Sequence, residues 1–137
     1  MLTYYTANKF LNVLSALSSG VSFTNSIYVG LSTTTPTAGG GNVTEPTGNG
    51  YARVLLGNTG QSLTQKMDTP ADGAVTNKEI IYFPEATGSW GTLTHCCIFD
   101  HPTDGNLLAF AELSTPITPT ANTIPIIRTG ELEISLN

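Results

Sequence analysis

SIYVGLS, residues 26–32, is the stretch of sequence that decides the fold. Ile27, Val29 and Leu31 fall on one side of an extended chain, because successive side chains of a strand point to opposite faces. This alternation is the period of a half-buried β-strand. A long segment rich in Thr, Pro, Gly and Asn, residues 33–50, follows and is predicted to be a surface loop.

Six further segments have strand character and are separated by clusters of Gly, Pro, Asn and Asp. About one residue in six is threonine, which favours pleated strands. The sequence therefore predicts a mainly β protein, an antiparallel, jelly-roll-like β-sandwich of about seven or eight short strands. The further strands are predicted over residues 51–57, 78–83, 92–99, 106–113, 124–128 and 131–136.

The last predicted strand has a one-sided alternation. Leu132, Ile134 and Leu136 are expected to face the core. Glu131 and Glu133 lie on the opposite face and are a candidate carboxylate pair for glycoside hydrolysis. Nothing in the sequence supplies a cleft there, so the interpretation we favour is a solvated strand face.

The connections between strands carry turn residues. Residues 101–105, with Pro102 and the Asp104-Gly105 pair, are predicted to form a hairpin turn. The polar segment 58–77 is predicted to contain at most one edge strand. The length of 137 residues suits one domain, 1–137, with the sandwich over about 26–137.

One amphipathic helix is predicted near the N-terminus, over about residues 6–19. Its apolar residues recur at spacings of three and four, with Thr6 as the N-cap and Gly20 as the stop. We expect this helix to pack on the sheet through that apolar face, since the polar face lacks the cations of membrane-surface helices. The apolar residues are Ala7, Phe10, Leu11, Leu14 and Leu17.

Charge and composition exclude several classes of function. The net charge is −5 with only five Lys and Arg, so nucleic-acid binding is not expected. No apolar run reaches the length of about 20 residues that spans a bilayer, and no basic region precedes the first apolar segment, so membrane insertion and classical export are not expected. Cys96 and Cys97 are adjacent and ill suited to pair, which indicates folding in a reducing compartment.

The densest group of reactive residues is His95, Cys96 and Cys97, followed by Asp100 and His101. Such a group is a candidate metal site or Cys/His nucleophile. Zinc sites draw ligands from two separated pairs, and no second pair exists. Strand alternation also places Cys96 opposite the other two side chains. We therefore predict a buried strand without catalytic, metal or cofactor residues.

Three other sequence patterns give weaker evidence for a binding or modification site. Asp100 and Asp104 near Asn106 do not have the spacing of a calcium loop and are predicted to bond their own turn. Residues 39–41 are three glycines without the Lys and Ser/Thr of a phosphate loop, so we expect a flexible tip. Residues 42–44 form a glycosylation sequon that matters only in a secretory pathway.

Aromatic residues are candidates for a sugar-stacking platform, although most are expected in the core or an interface. They are Tyr28, Tyr51, Tyr82 and Trp90.

Several segments, in order across most of the chain, carry a resemblance to a known family. They are SIYVGLS with the Thr and Pro that follow it, GYARV at 50–54, Phe83-Pro84, GSWGTLTH at 88–95 continuing to Ile98-Phe99-Asp100, and GNLLA at 105–109. Together they resemble a small family of tail fibre proteins of tailed bacteriophages. The sequence departs from the family at Cys96-Cys97, where a bulky apolar residue and a small residue are expected.

The resemblance implies a structural component of a phage virion, made in the bacterial cytoplasm, without enzyme activity or cofactor. It favours a tail fibre or tail-tip protein for assembly or host attachment. The alternatives are a capsid decoration or head-fibre protein, and a small carbohydrate-binding module. Structural roles are predicted for Tyr51, Arg53, Trp90, Gly91 and His95.

Low charge and apolar strand faces predict a homo-oligomer, and a trimer is favoured for a fibre tip. Other virion proteins are expected partners, and a host surface glycan is a further candidate.

Overall fold

The structure, a computed structural model, describes residues 1–15, 26–58 and 65–136. Within these ranges the chain is mainly β, with antiparallel strands and one helix, which confirms the predicted fold class. The elements are α1 (Tyr4–Leu14), β1 (Ser26–Ser32), β2 (Val54–Asn58), β3 (Ala74–Thr76), β4 (Ile81–Tyr82), β5 (Leu93–Phe99), β6 (Leu107–Ile117), β7 (Ile126–Ile127) and β8 (Glu133–Ser135).

A four-stranded sheet in the order β2-β1-β5-β6 is the largest element. Its central pair aligns Val29 with Ile98 and Leu31 with Cys96, so the apolar face predicted for residues 26–32 lies against the core. The turn predicted over residues 101–105 joins β5 to β6. Asp104 and Gly105 there have φ of 53° and 73°, the left-handed conformation that such turns require.

The layer opposite this sheet consists of two separate strand pairs, β3 with β8 and β4 with β7. Ile81, Ile127 and Leu132 from this region are buried in the same cluster as Val29 and Leu31. One apolar core therefore lies between the large sheet and the two small ones, in the manner of a sandwich. Strand β3 lies within residues 58–77, the polar segment that was predicted to contain at most one edge strand.

Several strands differ in length from the prediction. Strands β4 and β7 have only two residues each, because Pro84 and Pro125 lack the N–H that would continue a ladder. Strand β6 instead continues past Leu113 to Ile117, with Pro116 tolerated at a sheet edge. The inward position predicted for Leu136 is wrong, since β8 ends at Ser135 and this side chain is 64% exposed.

The helix begins earlier than predicted, with Thr3 rather than Thr6 as its N-cap residue, and ends at Leu14. Residues 16–20, where the predicted helix continued and stopped, lie outside the described residues. This helix is too short and too polar to cross a membrane, and no other helix occurs in the described ranges.

The prediction that the helix packs on the sheet through its apolar face is also wrong. Leu11 and Leu14 are 55% and 82% exposed, whereas Thr6 is buried. The reason is a set of hydrogen bonds: the hydroxyl of Thr3 donates to the Leu107 carbonyl (2.6 Å), and that of Thr6 donates to the Leu108 carbonyl (2.8 Å). These polar contacts turn the first helical turn toward β6 and the leucines away from it.

The chain ahead of the helix adds a short ladder to the edge of β6. Leu2 bridges Ala109, the Thr3 N–H donates to the Leu108 carbonyl at 3.0 Å, and the Phe110 N–H donates to the Met1 carbonyl at 2.9 Å. This segment protects the first half of an edge strand that would otherwise expose its backbone groups.

We predict that Thr6→Val destabilises the protein by about 1–2 kcal/mol, because the isosteric side chain removes a buried hydrogen bond. Urea unfolding followed by the fluorescence of the single tryptophan measures this change. Thr115→Val, at an exposed position of β6, is the matched control and should change the free energy of unfolding by less than about 0.5 kcal/mol. Equal effects of the two substitutions would contradict the anchoring role of Thr6.

Candidate functional site

Three of the residues with predicted structural roles, Tyr51, Arg53 and Trp90, are linked through Tyr51, which contacts the Trp90 ring and shares Glu45 with Arg53. Tyr51 and Arg53 immediately precede β2, and Trp90 precedes β5. The Tyr51 and Trp90 rings pack edge to face, with centroids 5.2 Å apart and an interplanar angle of 89°. The indole N–H of Trp90 donates to the Asn49 carbonyl at 2.8 Å, so this 4% exposed side chain has its polar atom satisfied.

Arg53 is the centre of the site. Its Nε donates to Glu45 Oε1 at 2.9 Å and its Nη2 donates to Glu45 Oε2 at 2.7 Å, which is a bidentate ion pair. Nη1 donates to the carbonyls of His101 (2.7 Å) and Asp104 (2.8 Å) in the β5–β6 turn. The Arg53 side chain is 6% exposed, so a buried cation is neutralised and nearly saturated with acceptors.

The guanidinium also stacks on an aromatic ring. Its Cζ lies 3.4 Å from the centroid of the Phe99 ring, which satisfies the geometry of a cation–π contact. Phe99 belongs to a second apolar cluster on this face of the sheet, with Cys97 and Leu107 buried and Val43 and Phe110 packed against them. The Arg53–Phe99 part of the site therefore lies on the face of the large sheet that is remote from the main core, whereas Trp90 is buried in the main core itself.

Residues 33–50 cover this face and contain no strand, which agrees with the predicted surface loop. Glu45 from this loop accepts the Tyr51 hydroxyl proton in a 2.6 Å hydrogen bond. The same hydroxyl accepts the N–H of Leu31 at 2.9 Å. Burial, together with the hydrogen bond to Glu45, raises the pKa of Tyr51 well above its ordinary value, so the phenol stays protonated and donates.

Gly30 makes this packing possible. A Cβ atom built on Gly30 would lie 2.7 Å from Glu45 Oε1, 2.8 Å from the Tyr51 hydroxyl and 3.0 Å from the Phe99 ring. All three neighbours are held in the network, so none can move away without breaking a contact. Strand alternation puts Gly30 on the face opposite Val29 and Leu31, but it does not reveal this role.

Gly91 and His95, the other two residues predicted to be structural, lie outside this network. Gly91 has a φ of 81°, the left-handed region, where a side chain would be strained. His95 is buried, and its Nδ1 is 2.9 Å from the Thr94 hydroxyl. The hydrogen bonds of the Gly91 N–H and the His95 ring are made with Ser89 and Thr94, and not with Arg53.

The two thiols point to opposite faces of β5, as strand alternation predicts. Cys96 lies in the main core and Cys97 in the second cluster. Both are free, and burial raises the pKa of Cys97 to about 12 and also raises that of Cys96. Thiols in this environment are poor nucleophiles, because the thiolate is the reactive form.

The remaining acidic and histidine candidates serve local structure. Asp100 accepts hydrogen bonds from the backbone N–H of Asn106 (2.7 Å) and from its side chain (2.8 Å), which closes the β5–β6 turn. Glu131 is exposed and pairs with Arg128 at 3.6 Å. In the described part of the chain, no three His, Cys, Asp or Glu side chains are grouped so that they could hold a metal ion.

Sequence reasoning identified Arg53 and Tyr51 but missed Glu45, Gly30 and Phe99 as their partners. Glu45 lies in a loop with no periodicity, so no spacing rule connects it to Arg53 across eight residues. The available signal was its isolation: it is the one charged residue in 33–50, and buried cations need such a partner.

Comparison with known families gives one match. The family model described as podophage GP4 fiber I protein gp80 matches residues 1–135. No curated protein matches the chain.

We predict that Glu45→Gln lowers the free energy of unfolding by about 2–3 kcal/mol, because it leaves the buried guanidinium without a counter-charge. Glu131→Gln is the matched control: it alters the exposed pair with Arg128 and should change stability by less than about 0.5 kcal/mol. Denaturant unfolding at neutral pH measures both. A small effect at Glu45 would show that the ion pair is dispensable.

Gly30→Ala should destabilise the protein by about 1–3 kcal/mol through overpacking against Glu45 and Tyr51. Gly39→Ala is its control, since a Cβ there would meet only the Thr37 hydroxyl, at 3.9 Å. Thermal unfolding of the two variants tests the prediction, and it fails if both melt at the wild-type temperature.

Proposed function

This chain belongs to the family of the podophage GP4 fiber I protein gp80, and from that premise we propose that it is a tail fibre component that acts at the tail tip in assembly or host attachment. The family match spans 135 of 137 residues and is the observation that carries the proposal. A phage fibre family implies a structural component of the virion. The position at the tail tip and the attachment role are the parts that we propose.

The geometry of the site supports a structural role. The ion pair of Arg53 and Glu45 joins the 33–50 loop to the β5–β6 turn, and both side chains are engaged with neighbouring atoms of the same chain. A buried Arg with nearly all its donors occupied is not positioned to bind a ligand. We infer that the site holds the loop in place so that the fibre surface keeps one shape.

A carbohydrate-binding role through the predicted aromatic platform has less support. Trp90 is 4% exposed and its N–H is bonded within the chain, while the Tyr51 hydroxyl is held by Glu45. Tyr82 is exposed, at 60%, but lies on the short strand β4. Tyr28, the fourth candidate, is half-buried, so Tyr82 is the one exposed ring among the four predicted aromatics. One ring does not form a stacking surface, and we do not base host attachment on these aromatics.

The proposal is tested by locating the protein in the virion. A short peptide tag inserted at Gly40, an exposed position with nothing within 4 Å of a built Cβ, should leave the fold intact. Gold-labelled antibody against the tag should decorate the tail tip of purified particles, with untagged particles as the control. Label over the head would overturn the proposal in favour of capsid decoration.

A further inference from the structure

The two layers of the sandwich separate along one side and leave a cleft. One wall is the second half of β6, and the other is formed by β7 and the chain that leads from it into β8. The cleft encloses about 340 Å³, and its floor includes Leu31, Phe83 and Leu132, which are 0%, 2% and 3% exposed. An apolar floor below a polar rim is the usual form of a binding site. We call this feature the β6 cleft.

The edge strand beside the β6 cleft has a backbone that the fold pairs only in part. Residues 1–3 cover its first half, and their ladder ends at Phe110, whose carbonyl accepts the Met1 ammonium at 2.6 Å. Because backbone groups of a strand point alternately to its two sides, those of Glu112 are the next that face outward. In the described ranges no strand pairs with this side of β6 beyond Phe110. The edge is therefore open to an added strand.

A bulge in β6 opens the same wall further. The register between β5 and β6 passes from His95 opposite Glu112 to Leu93 opposite Ile117, so residues 113–116 have no paired residue on β5. Bulges of this kind bend a strand and interrupt its ladder. The bulge residues line the cleft, and residues 114–116 are exposed. The wall thus offers hydroxyl groups, and backbone without a ladder partner, to a molecule in the cleft.

Charge indicates what fits the β6 cleft. Glu112 lies on one wall and Glu133 on the other, and among the described residues neither carboxylate takes part in an ion pair or a hydrogen bond. The one cation among the lining residues, Arg128, is paired with Glu131 at 3.6 Å. Two uncompensated negative charges therefore lie beside an apolar floor. A Lys or Arg side chain matches both features, with its cationic head and its aliphatic stem.

A second copy of this chain does not supply such side chains. Arg53 is buried in the ion pair with Glu45, and Arg128 lies at the cleft itself. The Lys and Arg residues also stand far apart in the sequence, at positions 9, 53, 66, 78 and 128. No segment of the chain presents several basic side chains close together, so the occupant of the cleft comes from a different protein.

We propose that the β6 cleft binds an extended segment of another protein in which basic and apolar side chains alternate. The segment adds to the edge of β6 from Glu112 onward, its apolar side chains enter the cleft, and its basic side chains meet Glu112 and Glu133. The inference rests on the proposed function, in which this chain contacts other proteins of the virion. It goes further by naming the contact surface and the chemistry of the segment that occupies it.

Fluorescence anisotropy with a synthetic peptide tests the inference. The full-length protein should bind a fluorescein-labelled hexapeptide of alternating Lys and Val much more tightly than the matched peptide of alternating Glu and Val. The double variant E112Q/E133Q should weaken binding of the Lys-Val peptide by roughly tenfold, because it removes two partly screened charge contacts. Glu79→Gln is the matched control: it removes the same charge at an exposed position outside the cleft and should keep the wild-type affinity.

A second peptide separates the apolar floor from charge alone. With serine in place of each valine, the hexapeptide keeps its charge but loses the side chains that would enter the cleft, so its affinity should fall by roughly tenfold or more. Equal affinities of the Lys-Val and Lys-Ser peptides would overturn the role of the cleft, since they would show that the protein attracts any basic peptide.

A thiol-exchange experiment locates the bound peptide. Ser114→Cys places an exposed thiol on the bulge, and a Lys-Val peptide that carries an activated disulfide should label it faster than it labels Glu79→Cys. The activated disulfide without the peptide corrects for the intrinsic reactivity of each thiol. The native thiols are buried and do not compete. Equal acceleration at the two positions would overturn the proposed placement.

The outcomes separate this inference from the proposed function. Absence of saturable binding of the Lys-Val peptide, or an unchanged affinity of E112Q/E133Q, overturns the β6 cleft as a docking site while the tail location stands. Circular dichroism and thermal unfolding establish that each variant is folded. Tagged protein found on the head overturns the proposed function, whatever the peptides show.

Discussion

The bidentate pair between Arg53 and Glu45 is the interaction on which one whole side of the molecule depends. It joins the long 33–50 loop, the chain entering β2 and the turn between β5 and β6, and these three segments share no backbone ladder with one another. A buried guanidinium carries a large desolvation penalty, so it is stable only when acceptors surround it. The loop supplies the Glu45 carboxylate and the turn supplies two carbonyls. The same hydrogen bonds hold both segments in position.

This polar arrangement complements the apolar core on the other side of the large sheet. There, side chains from the sheet and from the two small strand pairs fill one cluster, in which Leu31, Leu56, Ile81 and Leu93 are fully buried. A small core with short strands leaves little stability to spare, because domains of this size are only marginally stable. Each face of the sheet is thus covered in a different way, one by strands and one by a loop fastened through Arg53.

The parts of the fold that were predictable are those governed by local pattern. The bounds of β1 were predicted to the residue, because its alternation is clean and turn residues flank it. The orientation of α1 was not predicted. Apolar periodicity locates an apolar stripe on the helix, but it does not show that hydrogen bonds of threonine hydroxyls will determine which side packs on β6. The same limit applies to the site: Arg53 and Tyr51 stood out in sequence, but their partner Glu45 is set by tertiary contact alone.

The adjacent cysteines make the two faces of the sheet separately observable. Cys96 lies in the main core and Cys97 beneath the loop-covered face, although they are neighbours in the chain. Alkylation of a buried thiol proceeds only when its surroundings open, so the labelling rate of each cysteine reports the local opening free energy of its own layer. A chain that retains one thiol at a time would show whether the loop side opens independently of the core or whether both layers open as a single cooperative unit.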